Sequence, residues 1–177
     1  MRVSPRQYAR GVGVRRLRST IFTIGFTKKT AEEFFRLLTE AQVSHLIDVR
    51  ENRIGQLSGF AKYPDLAFFL DRLAGIEYRA EPMLAPSPEI RTAYAKSRDW
   101  QQYESSFLEL MRERRVLETI NPQIFEGRVA LLCSEPTADR CHRRLVAEIL
   151  SSHWNSLGHE ISIEHLASKK PTAKRKE

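Results

Sequence analysis

The chain has 177 residues, 41% of them hydrophobic, and a formal net charge of +7. That length suits one domain with a sizeable core. No apolar run approaches the roughly 20 residues that span a bilayer, no secretory signal is visible, and two cysteines build no disulfide framework, so a cytoplasmic, reducing setting is the default.

The positive charge sits at the ends. Residues 1–18 hold six arginines and no acid, and residues 168–177 carry +4, which leaves about −3 for residues 19–167. The chain therefore reads as a basic flexible tail over 1–18, a single α/β domain over 19–167 and a second basic tail over 168–177. Such tails are solubilising ends first and non-specific nucleic-acid contacts second. The N-terminal one is also Arg-rich and acid-free, as transit peptides are.

In chain order, residues 20–25 (TIFTIG) read as a strand ending at glycine. Thr30 and Glu33 form a capping box before a helical run with Phe34, Leu37 and Leu38. Residues 44–49 (SHLIDV) return to a strand, with Asp48 and Arg50 at its C-terminal end. A polar loop over 51–61 is long enough to be functional. Pro64 opens a helix carrying Leu66, Phe69, Leu70 and Leu73, which Gly75 ends. Residues 76–79 make a short strand, and three prolines keep 81–88 irregular.

A short helix follows over 89–96. A longer one, capped by Asp99 and Gln102, is expected to run to about Thr119 on Trp100, Tyr103, Phe107, Leu110, Met111 and Leu117. The continuously apolar run 129–133 suits a strand buried on both faces. From Ala138 a helical period takes over, with Thr137 or Asp139 as its expected cap. Residues 161–163 alternate, as an edge strand does.

Strands that alternate with helices in this way argue for an α/β fold: an open, mostly parallel, Rossmann-like sheet of about five strands with helices on both faces. In such sheets ligands bind at the strand C-terminal ends, where strand order reverses. The loops leaving the first, second and fourth strands then supply Gly25 and Thr27, Asp48 and Arg50, and Cys133, Ser134 and Glu135.

The segments DVR at 48–50, GIEY at 75–78, LLCSEP at 131–136 and CHRR at 141–144, in this order, resemble the domain of unknown function 488 family over residues 20–166. The resemblance implies no defined activity. Many members end the first strand in Gly-His-Ser; here it reads Gly25-Phe26-Thr27, so no role for that histidine carries over.

On their own chemistry, Asp48 and Glu135 at neighbouring strand ends offer two carboxylates for acid–base or nucleophilic work. The alternative is structural, with Asp48 paired to Arg50 or Arg143 and Glu135 capping a helix. Arg50 and Arg143 are the expected anion ligands, with Gly25, Thr27 and Ser134 beside them. His142 is a candidate general base or loop-orienting group. Cys133 is a nucleophile or a small buried hydrophobe. Cys141, at a basic helix start, is the more reactive thiol if exposed.

Tyrosine phosphatases place an arginine six residues after the cysteine; here that position is Asp139 and Arg140 comes one later. The spacing C-x7-C-H matches no common zinc pattern, so no metal or cofactor is expected. The other four histidines lack a supporting pattern. The chain reads as an enzyme, a hydrolase or a glycosyl-bond-cleaving one, acting on a phosphate-containing nucleotide or nucleic acid, with no membrane partner. The alternative is a non-catalytic module that binds nucleic acid through its tails.

Overall fold

The computed structural model describes residues 16–55 and 58–167. Residues 1–15 of the first basic tail, the whole of the second over 168–177, and Gln56 and Leu57 lie outside the described residues; Leu17 is buried and Arg18 opens β1, so the end of the expected first tail belongs to the sheet. Five strands, β1 (Arg18–Gly25), β2 (His45–Asp48), β3 (Glu77–Ala80), β4 (Gly127–Cys133) and β5 (Glu160–His165), form one sheet in the order β3-β2-β4-β1-β5. Every pairing is parallel.

Period-two alternation sends successive side chains to opposite faces. Ile21, Ile47, Val49, Val129 and Leu131 point into one layer, and Phe22, Ile24, Leu46, Ala130 and Leu132 into the other. Both faces are thus apolar, as a covered parallel sheet requires. The first layer is closed by α4 (Trp100–Glu113), α5 (Val116–Thr119) and α6 (His142–Ser156). The second is closed by α1 (Ala31–Glu40) and α2 (Asp65–Phe69).

The connections β1–β2 and β2–β3 run toward the β3 edge and carry α1 and α2. The connections β3–β4 and β4–β5 run back, and carry the helices of the opposite face. A single crossover hand requires that division. The connections leaving β1 and β4 run in opposite senses across the sheet, so the C-terminal ends of those two parallel strands flank the crevice.

Thr30 and Asp99 cap α1 and α4 through their side chains, as their spacing predicts. Ser87 caps α3 (Pro88–Ser97) in the same way. The α2 helix widens into a π turn over Leu70–Ala74, which Gly75 ends at φ +62°.

Two helix limits differ from expectation. The helix expected to run to Thr119 breaks after Glu113. Arg115 takes φ +51°, while the Arg114 guanidinium donates to the carbonyls of Met83 and Ala85 at 2.6 Å each. That bond ties the helix end to the segment before α3. The last helix starts at His142, not Ala138. Its N-cap is Cys141, with no side-chain capping bond, so neither Thr137 nor Asp139 serves. Residues 134–140 instead cross the ends of the strands.

Among the described residues no helix is long and apolar enough to cross a membrane.

Candidate functional site

Gly25 pairs with Cys133 and Asp48 with Leu132, so the ends of β1, β4 and β2 lie side by side. The loops above them are fastened through backbone. The Thr27 amide donates to the Ser134 carbonyl at 3.1 Å, and the Val49 amide to the Leu132 carbonyl at 3.1 Å. Gly25 is there because nothing larger fits: a Cβ would stand 1.6 Å from the Glu135 carbonyl oxygen. Gly25 and Thr27 therefore fix the loop and do not line the cleft described below.

Asp48 is wholly buried. Its carboxylate accepts a fork from Arg50, Nε at 2.8 Å and Nη2 at 2.6 Å, and a third bond from the Tyr78 hydroxyl at 2.9 Å. The Arg50 amide adds a fourth at 3.1 Å. Burial first, then the Asp48 charge, pushes the Tyr78 phenol well above its ordinary range. An acid satisfied on all sides has no lone pair directed at a ligand. Asp48 thus does not stand in the cleft beside Glu135, as the two-carboxylate expectation required; its alternative, pairing with Arg50, is what occurs.

Arg143, expected as an anion ligand, is 1% exposed. Its Nη1 donates to the Glu135 carbonyl at 2.7 Å and to Cys141 Sγ at 3.3 Å. It holds the loop from behind, and among the described residues no carboxylate pairs with it. Its positive field, after burial, helps to lower the pKa of the neighbouring Lys29.

Cys133, at the end of β4, and Cys141 and His142, at the start of α6, come together. One potential ligand atom from each lies within 4.8 Å of the others. His142 Nε2 is 3.0 Å from the Val49 carbonyl, which can only accept, so Nε2 carries the proton. Nδ1 then faces Cys133 Sγ at 3.6 Å.

The Cys133 thiol is held well below its ordinary range. Cys141 donates to it, which outweighs burial, and the His142 ring and the Glu135 amide act in the same direction. Cys141 moves the opposite way, raised by that same bond and by burial. Burial, the largest single effect, opposes charge on His142, but the Cys133 charge and hydrogen bond together with the Val49 carbonyl raise its pKa overall.

Above these three side chains lies a cleft of about 540 Å³. Cys133, Ser134, Glu135, Cys141 and His142 all line it; Asp48, Arg143, Gly25 and Thr27 do not. Arg50 lines it too, stacked 5.2 Å from the Phe26 ring.

Three arginines not singled out as anion ligands from the sequence, Arg91, Arg98 and Arg140, also line the cleft. Arg91 pairs with Glu51 from the loop after β2. Arg98 and Arg140 are exposed and, among the described residues, have no carboxylate partner. The Glu135 side chain is exposed beside them. Arg91 lies on α3, whereas Arg98 closes that helix in the left-handed region at φ +56°, so helical spacing alone does not bring the two together. Arg140 likewise carries no signal until the loop is folded.

A family model described as domain of unknown function DUF488 matches residues 30–150, more than half of the chain. The chain belongs to the DUF488 family. No curated protein and no solved structure matches it. The matched DUF488 segment runs from the cap of α1 into α6. It includes the Asp48–Arg50 pair, the Cys133–Cys141–His142 cluster and the three further arginines; Gly25 and Thr27 fall outside it.

Chemically, the DUF488 cleft joins a polarisable floor of two sulfurs and an imidazole to a rim of cations. Tyr94 and Tyr103 supply aromatic walls between them.

Proposed function

We propose that this chain is a small enzyme whose cleft takes a phosphate-bearing ligand of nucleotide size. Arg98 and Arg140 hold the phosphate, and Cys133, Cys141 and His142 form the reactive floor. One observation carries the reading. Arg50 is neutralised by Asp48 and Arg91 by Glu51, which leaves Arg98 and Arg140 facing the cleft against Glu135 alone. Guanidinium groups pair with phosphate oxygens through two parallel bonds.

The cleft volume of about 540 Å³ is within the usual range for a small-molecule site. The aromatic walls offer faces for a ring. The net charge of about −3 over residues 19–167 favours a small anion over a nucleic-acid strand laid across the domain.

Calorimetric titration with inorganic phosphate, AMP and adenosine tests the reading. AMP and phosphate bind the wild type, and adenosine binds far more weakly. Arg98→Ala and Arg140→Ala each weaken AMP by roughly 10- to 100-fold, the worth of a charge-assisted bond. Equal binding of AMP and adenosine, or of AMP by wild type and both variants, refutes it.

A further inference from the structure

We infer that Cys133, Cys141 and His142 form a binding site for a zinc-class divalent ion, with its fourth coordination position open to the cleft. The inference stands on the floor cluster alone; only its use in catalysis rests on the function proposed above.

The donor set is two sulfurs and one imidazole nitrogen, which suits zinc and the softer transition metals. Three protein ligands of the Cys₂His type, with the fourth place left to water or ligand, are the pattern of a catalytic zinc site. Among the described residues no fourth Cys, His, Asp or Glu joins the group, and all three members line the cleft.

Distances fit as well. With Zn–S of about 2.3 Å and Zn–N of about 2.0–2.1 Å, a tetrahedron sets S and N about 3.6 Å apart and two sulfurs about 3.8 Å apart. Cys133 Sγ and His142 Nδ1 are 3.6 Å apart, and all three donor atoms lie within 4.8 Å of one another.

The surrounding groups are those that orient metal ligands. The Val49 carbonyl holds the proton on Nε2 and turns the Nδ1 lone pair toward the sulfurs. Arg143 Nη1 donates to Cys141 Sγ at 3.3 Å.

Charge is consistent too. Two thiolates neutralise a divalent ion, and the buried Arg143 then leaves the assembly one positive charge in excess. A hydroxide or a ligand oxygen anion at the open position restores neutrality. The floor would thus prefer the same sign of ligand as the rim.

Cobalt(II) titration of the reduced, metal-stripped full chain tests the site. The expected result is one ion per chain, with a thiolate-to-cobalt charge-transfer band and the strong visible bands of a tetrahedral complex, both abolished by zinc. Cys133→Ser, Cys141→Ser and His142→Gln each weaken cobalt binding by at least about 100-fold, because loss of an outer-shell partner alone costs up to that much. His45→Gln, on the exposed start of β2, leaves it unchanged.

Should a floor variant fail to fold, the wild type still decides. Zinc must slow modification of both thiols by a disulfide reagent, and a chelator must restore the rate. The inference is overturned by a wild type without the tetrahedral spectrum, by a spectrum that survives Cys141→Ser, or by thiols equally reactive with and without zinc. If the cobalt spectrum forms but phosphate does not bind, the ligand reading fails and the metal site stands.

Discussion

Gly25 and Glu135 touch through backbone: a Cβ on Gly25 would stand 1.6 Å from the Glu135 carbonyl oxygen and 3.0 Å from Arg143 Nη1. The loop that carries Glu135 and leads to Arg140 is seated on that bare Cα. Gly25→Ala must push this loop off its seat, because the obstacle is backbone and cannot rotate away. The expected cost is about 1–3 kcal/mol of stability together with weaker phosphate binding. Urea midpoints and phosphate titration check both. A variant with wild-type values in each would mean that the loop does not depend on this contact.

Asp48, Arg50 and Tyr78 form a knot beneath the cleft. Asp48 is fully buried and Arg50 is 6% exposed, so screening by solvent is weak. Asp48→Ala leaves a buried guanidinium without its counter-charge, at about 3–5 kcal/mol. Tyr78→Phe removes one hydrogen bond, at about 1 kcal/mol. The two losses share one carboxylate and will not add. Denaturant unfolding of the single and double variants measures the coupling; strict additivity would contradict the knot.

The two kinds of arginine at this end of the sheet separate by assay. Arg143 is buried and supports the Glu135 carbonyl, so Arg143→Ala destabilises by about 2–4 kcal/mol through lost packing and an unpaired carbonyl. Arg98 and Arg140 are exposed, and their alanine variants stay within about 0.5 kcal/mol of wild type. Thermal melts of the three variants would reverse this ranking if Arg143 were instead a solvent-facing ligand.

Burial raises the phenols of Tyr78 and Tyr103 well above their ordinary range, Asp48 adding to the first and Cys141 to the second. A raised folded-state pKa means that the unfolded chain gives up its phenolic protons first. This contribution to stability is complete below about pH 10 and falls as pH rises beyond it. Tyr78→Phe should flatten that alkaline decline in a pH series of urea midpoints. An unchanged slope in the variant would remove Tyr78 from the explanation.

Much of the fold was legible because strands and helices leave different periods. The run 129–133 is apolar throughout, and β4 is indeed covered on both faces. Thr30 and Asp99 announced their helices through capping geometry that the structure repeats. The break at Arg115 was not legible, since it depends on Arg114 reaching carbonyls about thirty residues away.

The site was half legible. Motifs at strand ends located the cleft and its Cys133, Glu135, Cys141 and His142. They did not reveal which arginines face inward. Arg143 sits in the eye-catching CHRR run and turns away, whereas Arg98 ends an otherwise unremarkable helix. Sequence adjacency names the neighbourhood, but burial decides the role. The spacing of Cys133, Cys141 and His142 was likewise uninformative, because a strand end, a crossing loop and a helix start bring them together.

The most direct measurement is a crystal structure of the wild-type protein grown with saturating AMP. The expected result is a phosphate within about 3 Å of the guanidinium groups of both Arg98 and Arg140, with the nucleoside between Tyr94 and the Cys133–His142 floor. AMP bound away from both arginines, or no AMP in the cleft at saturation, would contradict the assignment of this cleft as a phosphate-ligand site.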